Sequence, residues 1–210
     1  MKKIAITQRL IENTSYKEVY DALDIRWASV FNKLRVLPVV FPTNYDPEKY
    51  FDELDIAGVI LSGGNDLSRF SNGQLSHIRD EFEKKIVNSC MRRGLPLLGV
   101  CRGMQLVTDH LGGTLKKAQG HVGVRHELLA DRSSQFHSEI SRLGSVNSFH
   151  NYVVEKLPVG FVSAATSADG YYEAAENKER KIFLQMWHCE REEPFNESNM
   201  QIIKKFFSLQ

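Results

Sequence analysis

The stretch Leu95-Pro-Leu-Leu-Gly-Val-Cys-Arg-Gly-Met-Gln-Leu-Val-Thr-Asp-His-Leu constrains the fold of this chain most. An apolar run ends in Gly99-Val-Cys-Arg-Gly103, and a helical apolar pattern begins directly after it. A strand that turns this abruptly into a helix is a nucleophile elbow. The backbone passes itself closely, and glycine two positions either side of the central residue leaves the room. The residue at the tip is expected to be strained, presented rather than buried, and set at a helix N-terminus. There the free N–H groups and the helix dipole favour a thiolate. Cys101 is therefore a candidate nucleophile.

Around this turn, apolar strands alternate with amphipathic stretches. Period and length predict strands at about 3–7, 36–40, 56–61 and 96–100, with helices near 17–34, 77–93 and 102–111. Strands separated by helices imply a parallel sheet covered on both faces, with ligands bound at the strands' C-terminal ends. The second half is richer in strands, at 122–129, 161–166, 171–176 and 181–187, and closes with a helix near 197–208. The expected architecture is α/β: a flavodoxin-like, mostly parallel central sheet flanked by helices, with extra antiparallel strands in the C-terminal half. No repeat or long linker interrupts it, so residues 1–210 read as one domain.

Two further segments supply what a thiol nucleophile needs. In Phe183-Leu-Gln-Met-Trp-His-Cys-Glu, His188 and Glu190 stand two apart, and on extended chain both point to one side. That spacing suits an imidazole base and the carboxylate that fixes its tautomer. On the same alternation, Cys189 points away from both. In Ile60-Leu-Ser-Gly-Gly-Asn-Asp a glycine pair follows an apolar strand. The N–H groups of Gly64 and Arg102 are candidates for stabilising the oxyanion formed on attack at an amide. No Walker lysine follows the glycine pair, which argues against a phosphate loop.

These three signals, in this order, resemble the class I glutamine amidotransferase family of Cys-His-Glu type, and more narrowly its gamma-glutamyl hydrolases of peptidase C26 type. The resemblance runs from Lys2-Lys-Ile-Ala-Ile-Thr to Met200-Gln-Ile-Ile-Lys-Lys-Phe-Phe. Its narrower part is carried by Ile6-Thr-Gln-Arg, by Asp21-Ala-Leu-Asp-Ile-Arg-Trp in the first helix, by Val146-Asn-Ser-Phe-His and by Asp169-Gly-Tyr-Tyr-Glu-Ala-Ala-Glu. It implies hydrolysis of a gamma-glutamyl amide through a thioester on Cys101, with His188 as proton carrier and Glu190 as its orienter. By the same resemblance Gln105 and the segment Ser148, Phe149 and His150 hold the amino and carboxylate ends of the glutamyl group. Two departures stand out: Met186 precedes Trp187, and Cys189 occupies the place of a usual proline.

The leaving group is less legible. The polar segment Arg9-Leu-Ile-Glu-Asn-Thr-Ser-Tyr-Lys leaves the first strand at its C-terminal end, as a loop that could overhang the site. Arg9 and Lys17 could then meet an anionic leaving group, with the Arg102 side chain as a further candidate. Substrates in scope are gamma-glutamyl nucleotide phosphoramidates such as gamma-glutamyl-CDP-amidate of capsule biosynthesis, gamma-glutamyl amines, and glutamine. A glutaminase subunit feeding ammonia to a separate synthase, or a binding module with an idle triad, would carry the same residues.

Composition excludes other classes. A net charge of +1 gives no field to gather nucleic acid or an acidic membrane, which leaves a small molecule as the expected partner and homo-oligomerisation open. The 3 cysteines have no regular spacing, so no disulfide framework is expected. The N-terminal residues carry no apolar leader pattern, and a free thiol fits a cytoplasmic setting. No cofactor or metal is expected: His110, His121, His126 and His137 read as surface or hydrogen-bonded histidines.

Overall fold

A computed structural model describes residues 1–209. Its centre is an 11-stranded sheet. The parallel part comprises β1 (Lys3–Ile6), β4 (Leu37–Val40), β5 (Ile56–Leu61), β6 (Leu97–Val100) and β13 (Ile182–Gln185), in the spatial order β4-β1-β5-β6-β13. Antiparallel strands continue it through β12 (Tyr172–Asn177), β11 (Val162–Ser167), β8 (Val122–Ala130) and β9 (Ser145–Phe149). β10 (Tyr152–Lys156) pairs with β12 and with β7 (Thr114–Lys117) off this path. The expected α/β architecture with antiparallel additions is the observed one.

Alternation along the strands sends side chains into two cores, one on each face. In β5, Ile60 faces one core while Val59 and Leu61 face the other. The first core is covered by α1 (Arg26–Leu34), α5 (His137–Leu143) and α6 (Glu197–Phe206), the second by α2 (Pro47–Glu53), α3 (Gln74–Arg93) and α4 (Arg102–His110). In α1 the buried residues Trp27, Val30, Phe31 and Leu34 form a single apolar stripe at helical spacing. Trp187 is locked to α6 by a hydrogen bond from Nε1 to Asn199 Oδ1 of 2.8 Å.

The helix expected at 17–34 is in fact shorter. Residues 9–22 form a separate hairpin, β2 (Arg9–Asn13) and β3 (Glu18–Ala22). Its turn is organised by the Asn13 side chain, whose Oδ1 accepts from Ser15 N at 3.2 Å. Cross-strand pairing of Ile11 with Tyr20 then favours extended chain over helix. Asp21 accordingly lies in β3, where it receives hydrogen bonds from Thr43 N and Oγ1, and only Arg26 and Trp27 of its matched stretch are helical. Among the described residues no helix is long and apolar enough to cross a membrane.

Candidate active site

Sheet order positions the chemistry. β6 lies between β5 and β13, so three strand ends meet: Ser62-Gly63-Gly64 after β5, Cys101 after β6, and the His188 segment after β13. The register sets Leu61 beside Gly99 and Val100 beside Gln185, and Cys101 N donates to Gln185 O at 2.8 Å. Cys101 has φ 51° and ψ −103°, the strained conformation expected of an elbow. A Cβ on Gly103 would lie 2.4 Å from Leu61 O and one on Gly99 would lie 2.9 Å from the Gly103 backbone, so side chains are shut out on both sides of the turn. The thiol is not openly presented, however. Cys101 is 6% exposed and packs into the first core.

His188 Nδ1 and Glu190 Oε1 are 2.6 Å apart, both residues being almost wholly buried. Extended alternation is not what joins them. β13 ends at Gln185, and a 3-10 turn at Cys189–Arg191 swings Glu190 back under the ring. The same turn drives Cys189 into the first core, away from the site for a different reason than strand alternation. Met186 is buried in the opposite core. Burial opposes a charged imidazole, but the Cys101 sulfur and the Glu190 carboxylate outweigh it and hold the His188 pKa up at about 9. Asn147, which sequence reasoning did not single out, clamps the His188 backbone: its Nδ2 donates to His188 O at 2.9 Å and its Oδ1 accepts from His188 N at 3.0 Å.

The glycine loop after β5 is held from behind. Arg79 Nη2 donates to Ser62 O at 2.8 Å, Nη1 donates to Gly63 O at 3.1 Å, and Nε pairs with Glu83. Glu83 and Asp80 in turn bind the Arg102 guanidinium. That side chain is 1% exposed and faces inward, so it is not the anion contact entertained for it; the salt bridges on α3 take it up. The first-turn N–H of Arg102 remains beside Cys101, since helix-start donors have no partner within the helix. Charged residues at buried positions of an otherwise apolar helix face, Arg79 and Glu83 next to Phe82 and Ile86, were the sequence signal for this network.

Arg9 sits at the base of the hairpin and lines the cleft with Ser62, Gly63, His188, Glu190 and Arg191. Lys17 lies in the hairpin's turn, beyond the last pair Asn13–Glu18, exposed and outside the cleft lining, because the segment is a hairpin and not an overhanging loop. Gln105 is buried, with Nε2 donating to Tyr152 O at 2.9 Å. In the 148–150 segment only Phe149 turns outward, its ring 6.2 Å from that of His188. Ser148 Oγ is spent inside, donating to His121 O at 2.7 Å and meeting His150 Nε2 at 3.0 Å.

His110, His121 and His137 are hydrogen-bonded, as expected, to Asn88 Oδ1, Asp169 Oδ2 and Asp131 O. His121 also lies with His150 and Glu173, one ligating atom of each being within 4.8 Å of the others. The antiparallel strands gather residues that have no regular spacing in sequence. Burial there pushes the Glu173 carboxyl up to about 8 and, with the neighbouring imidazoles, His150 down to about 3.

The peptidase C26 family model matches residues 4–190, which takes in Cys101, His188 and Glu190. The chain belongs to the peptidase C26 family. It is a hydrolase of glutamine amidotransferase-like build. A gamma-glutamyl-CDP-amidate hydrolase of Campylobacter jejuni is 39% identical over 211 residues, covering 98% of each chain. A GMP synthase of Maridesulfovibrio salexigens is 29% identical, over 87% of this chain but 32% of its own length. Among solved structures, a glutamine amidotransferase from Thermotoga maritima superposes with a TM-score of 0.67 at 13% identity, covering 99% of this chain and 84% of that one. A GMP synthase component from Thermoplasma acidophilum superposes with a TM-score of 0.75 at 21% identity, covering 99% of this chain and 93% of that one.

One expected result follows from the packing of the C26 site itself. A Cβ on Gly63 would lie 2.5 Å from His188 Cε1. Gly63→Ala is expected to push the imidazole off Cys101 and lower kcat about a hundredfold, as displacement of a catalytic group by about an ångström does. Steady-state kinetics beside a melting curve check this; unchanged kcat in a folded variant would show that His188 need not sit where it does.

Proposed function

We propose that this chain hydrolyses a gamma-glutamyl amide whose leaving group is a nucleotide phosphoramidate, the chemistry named for the Campylobacter jejuni relative. The observation that carries the reading is the meeting of Cys101 with the His188–Glu190 pair at adjoining strand ends, in a chain that matches this relative over 98% of its length. In this reading the Cys101 thiolate attacks the gamma carbonyl carbon. The carbonyl electrons move onto oxygen, and the N–H groups of Gly64 and Arg102 donate hydrogen bonds to the oxyanion so formed. Collapse breaks the C–N bond as the His188 imidazolium gives its proton to the leaving nitrogen. Neutral His188 then takes a proton from water, which attacks the thioester; the thiolate leaves and glutamate is released. Glu190 accepts from His188 Nδ1 throughout and keeps Nε2 directed at the reaction.

Gln105 and the 148–150 segment hold the glutamyl group, the latter through its backbone and Phe149, since Ser148 Oγ is engaged inward. The substrate is a small molecule handled in the cytoplasm. Arg9 is the cation for the leaving group, and Arg191 lines the same cleft.

Arg9→Ala is expected to lower kcat/KM on an anionic phosphoramidate about ten- to a hundredfold, the worth of one charge-assisted contact. On glutamine, with a neutral leaving group, the loss should be under about threefold. Lys17→Ala, at the far turn, should change neither. Assays on anionic, zwitterionic and neutral gamma-glutamyl amides make the comparison. Equal losses on all three for Arg9→Ala would remove the anion site and move the reading to an amine-derived leaving group or to glutamine.

A further inference from the structure

We infer that His121, His150 and Glu173 form a binding site for a zinc-type divalent transition metal ion, separate from the Cys101–His188–Glu190 centre. The three residues are 1%, 4% and 1% exposed, and one ligating atom from each lies within 4.8 Å of the others. Two imidazoles and a carboxylate are a donor set suited to such an ion, which leaves a further position open. Tetrahedral ligands about zinc stand roughly 3.4 Å apart, so an ion would draw the donors in by about 1 Å.

The polar accounting points the same way. Both Glu173 oxygens, His121 Nδ1 and His150 Nδ1 are buried with no hydrogen-bond partner, and so is Nε2 of the neighbouring His126. Buried polar atoms are almost always paired, and an orphaned cluster calls for an ion or water to fill it. His150 Nε2 faces Glu173 Oε1 at 3.8 Å, too far for a hydrogen bond, and its one partner is Ser148 Oγ at 3.0 Å, which an ion bound there would displace. His121 Nε2 is meanwhile bound to Asp169 Oδ2 at 2.9 Å. A carboxylate on one ring nitrogen, with the other left free, is the way metal-ligating histidines are oriented.

The fold gives the ion a structural task. His121 immediately precedes β8, His150 follows β9, and Glu173 lies in β12. The ion ties these three places together and steadies the chain from Phe149, against His188, to Tyr152, whose carbonyl takes Gln105. It takes no part in bond breaking.

The test uses the full chain carrying Cys101→Ser, so that the active-site thiol cannot bind the probe. After dialysis against a chelator, Zn2+ is titrated by calorimetry and Co2+ by absorption. The expected result is one ion per chain, visible cobalt bands without a sulfur charge-transfer band, and a melting temperature about 5–10 °C higher at a hundredfold excess over Kd. Adding Glu173→Gln should weaken binding at least about a hundredfold. Should that variant not fold, Asp169→Asn, changed at the surface, should weaken it about 10- to 100-fold through His121. No stoichiometric binding, a sulfur band, or affinity unmoved by a folded Glu173→Gln or Asp169→Asn protein would overturn the site.

Discussion

Cys101→Ala is expected to lower kcat by at least about a thousandfold while the protein stays folded, as removal of a nucleophile from a triad does. The fold should tolerate it because only the sulfur is lost, from a turn whose φ of 51° is set by the glycines and Leu61 around it. Labelling separates the three thiols. Burial, with Glu48 nearby, pushes Cys90 up to about 12, and burial drives Cys189 well above the ordinary thiol range, so both stay protonated and inert. Of the three, it is the Cys101 sulfur that interacts with the His188 imidazole. A glutamyl affinity reagent followed by peptide mass mapping should therefore place one adduct on Cys101. An adduct on Cys90 or Cys189 in its stead, or full activity in the alanine variant, would overturn the assignment.

The parts of the site that could be read in the sequence are those whose chemistry is local. The elbow needs only five consecutive residues, and the base and its orienter lie within three. That β13 docks beside β6, some eighty residues away, is a property of the sheet and not of either segment; a match to a known motif order could anticipate it, but periodicity could not. The hairpin at 9–22 was hidden for the opposite reason. It is mostly exposed, so burial imposes no alternation on it, and Ile11, Val19 and Tyr20 stand 46–50% open to solvent. Short elements such as α2 and β7 offer too few residues for a period to show.

Residues that act through another element were fainter, and their partners could not be read at all. Asn147 matters because it reaches the His188 backbone, and Arg79 because it reaches the carbonyls of Ser62 and Gly63. Neither partner is near in sequence. His121, His150 and Glu173 show the same principle: each looks ordinary at its own position, and only the pairing of β8 with β9 and the placement of β12 bring them together.

His188→Ala is expected to cost nearly as much as loss of the thiol, and Glu190→Gln at least about tenfold less, because an amide oxygen still accepts the Nδ1 hydrogen bond and only the stabilisation of the imidazolium is lost. The pH profile gives a sharper reading. Burial disfavours the imidazolium, yet Cys101 and Glu190 hold the His188 pKa at about 9, above its ordinary 6.5. The imidazolium is the acid that protonates the leaving nitrogen, so kcat/KM should hold through neutral pH and fall as pH rises through about 9. Removing the Glu190 charge takes away one of the influences that raise this pKa, and the alkaline limb should move to lower pH in Glu190→Gln. Rate profiles for the wild type and that variant, on one gamma-glutamyl amide, decide the matter. An alkaline limb that stays in place, or near-wild-type rates for both variants, would mean that the 2.6 Å contact between His188 and Glu190 braces the chain end without serving the reaction.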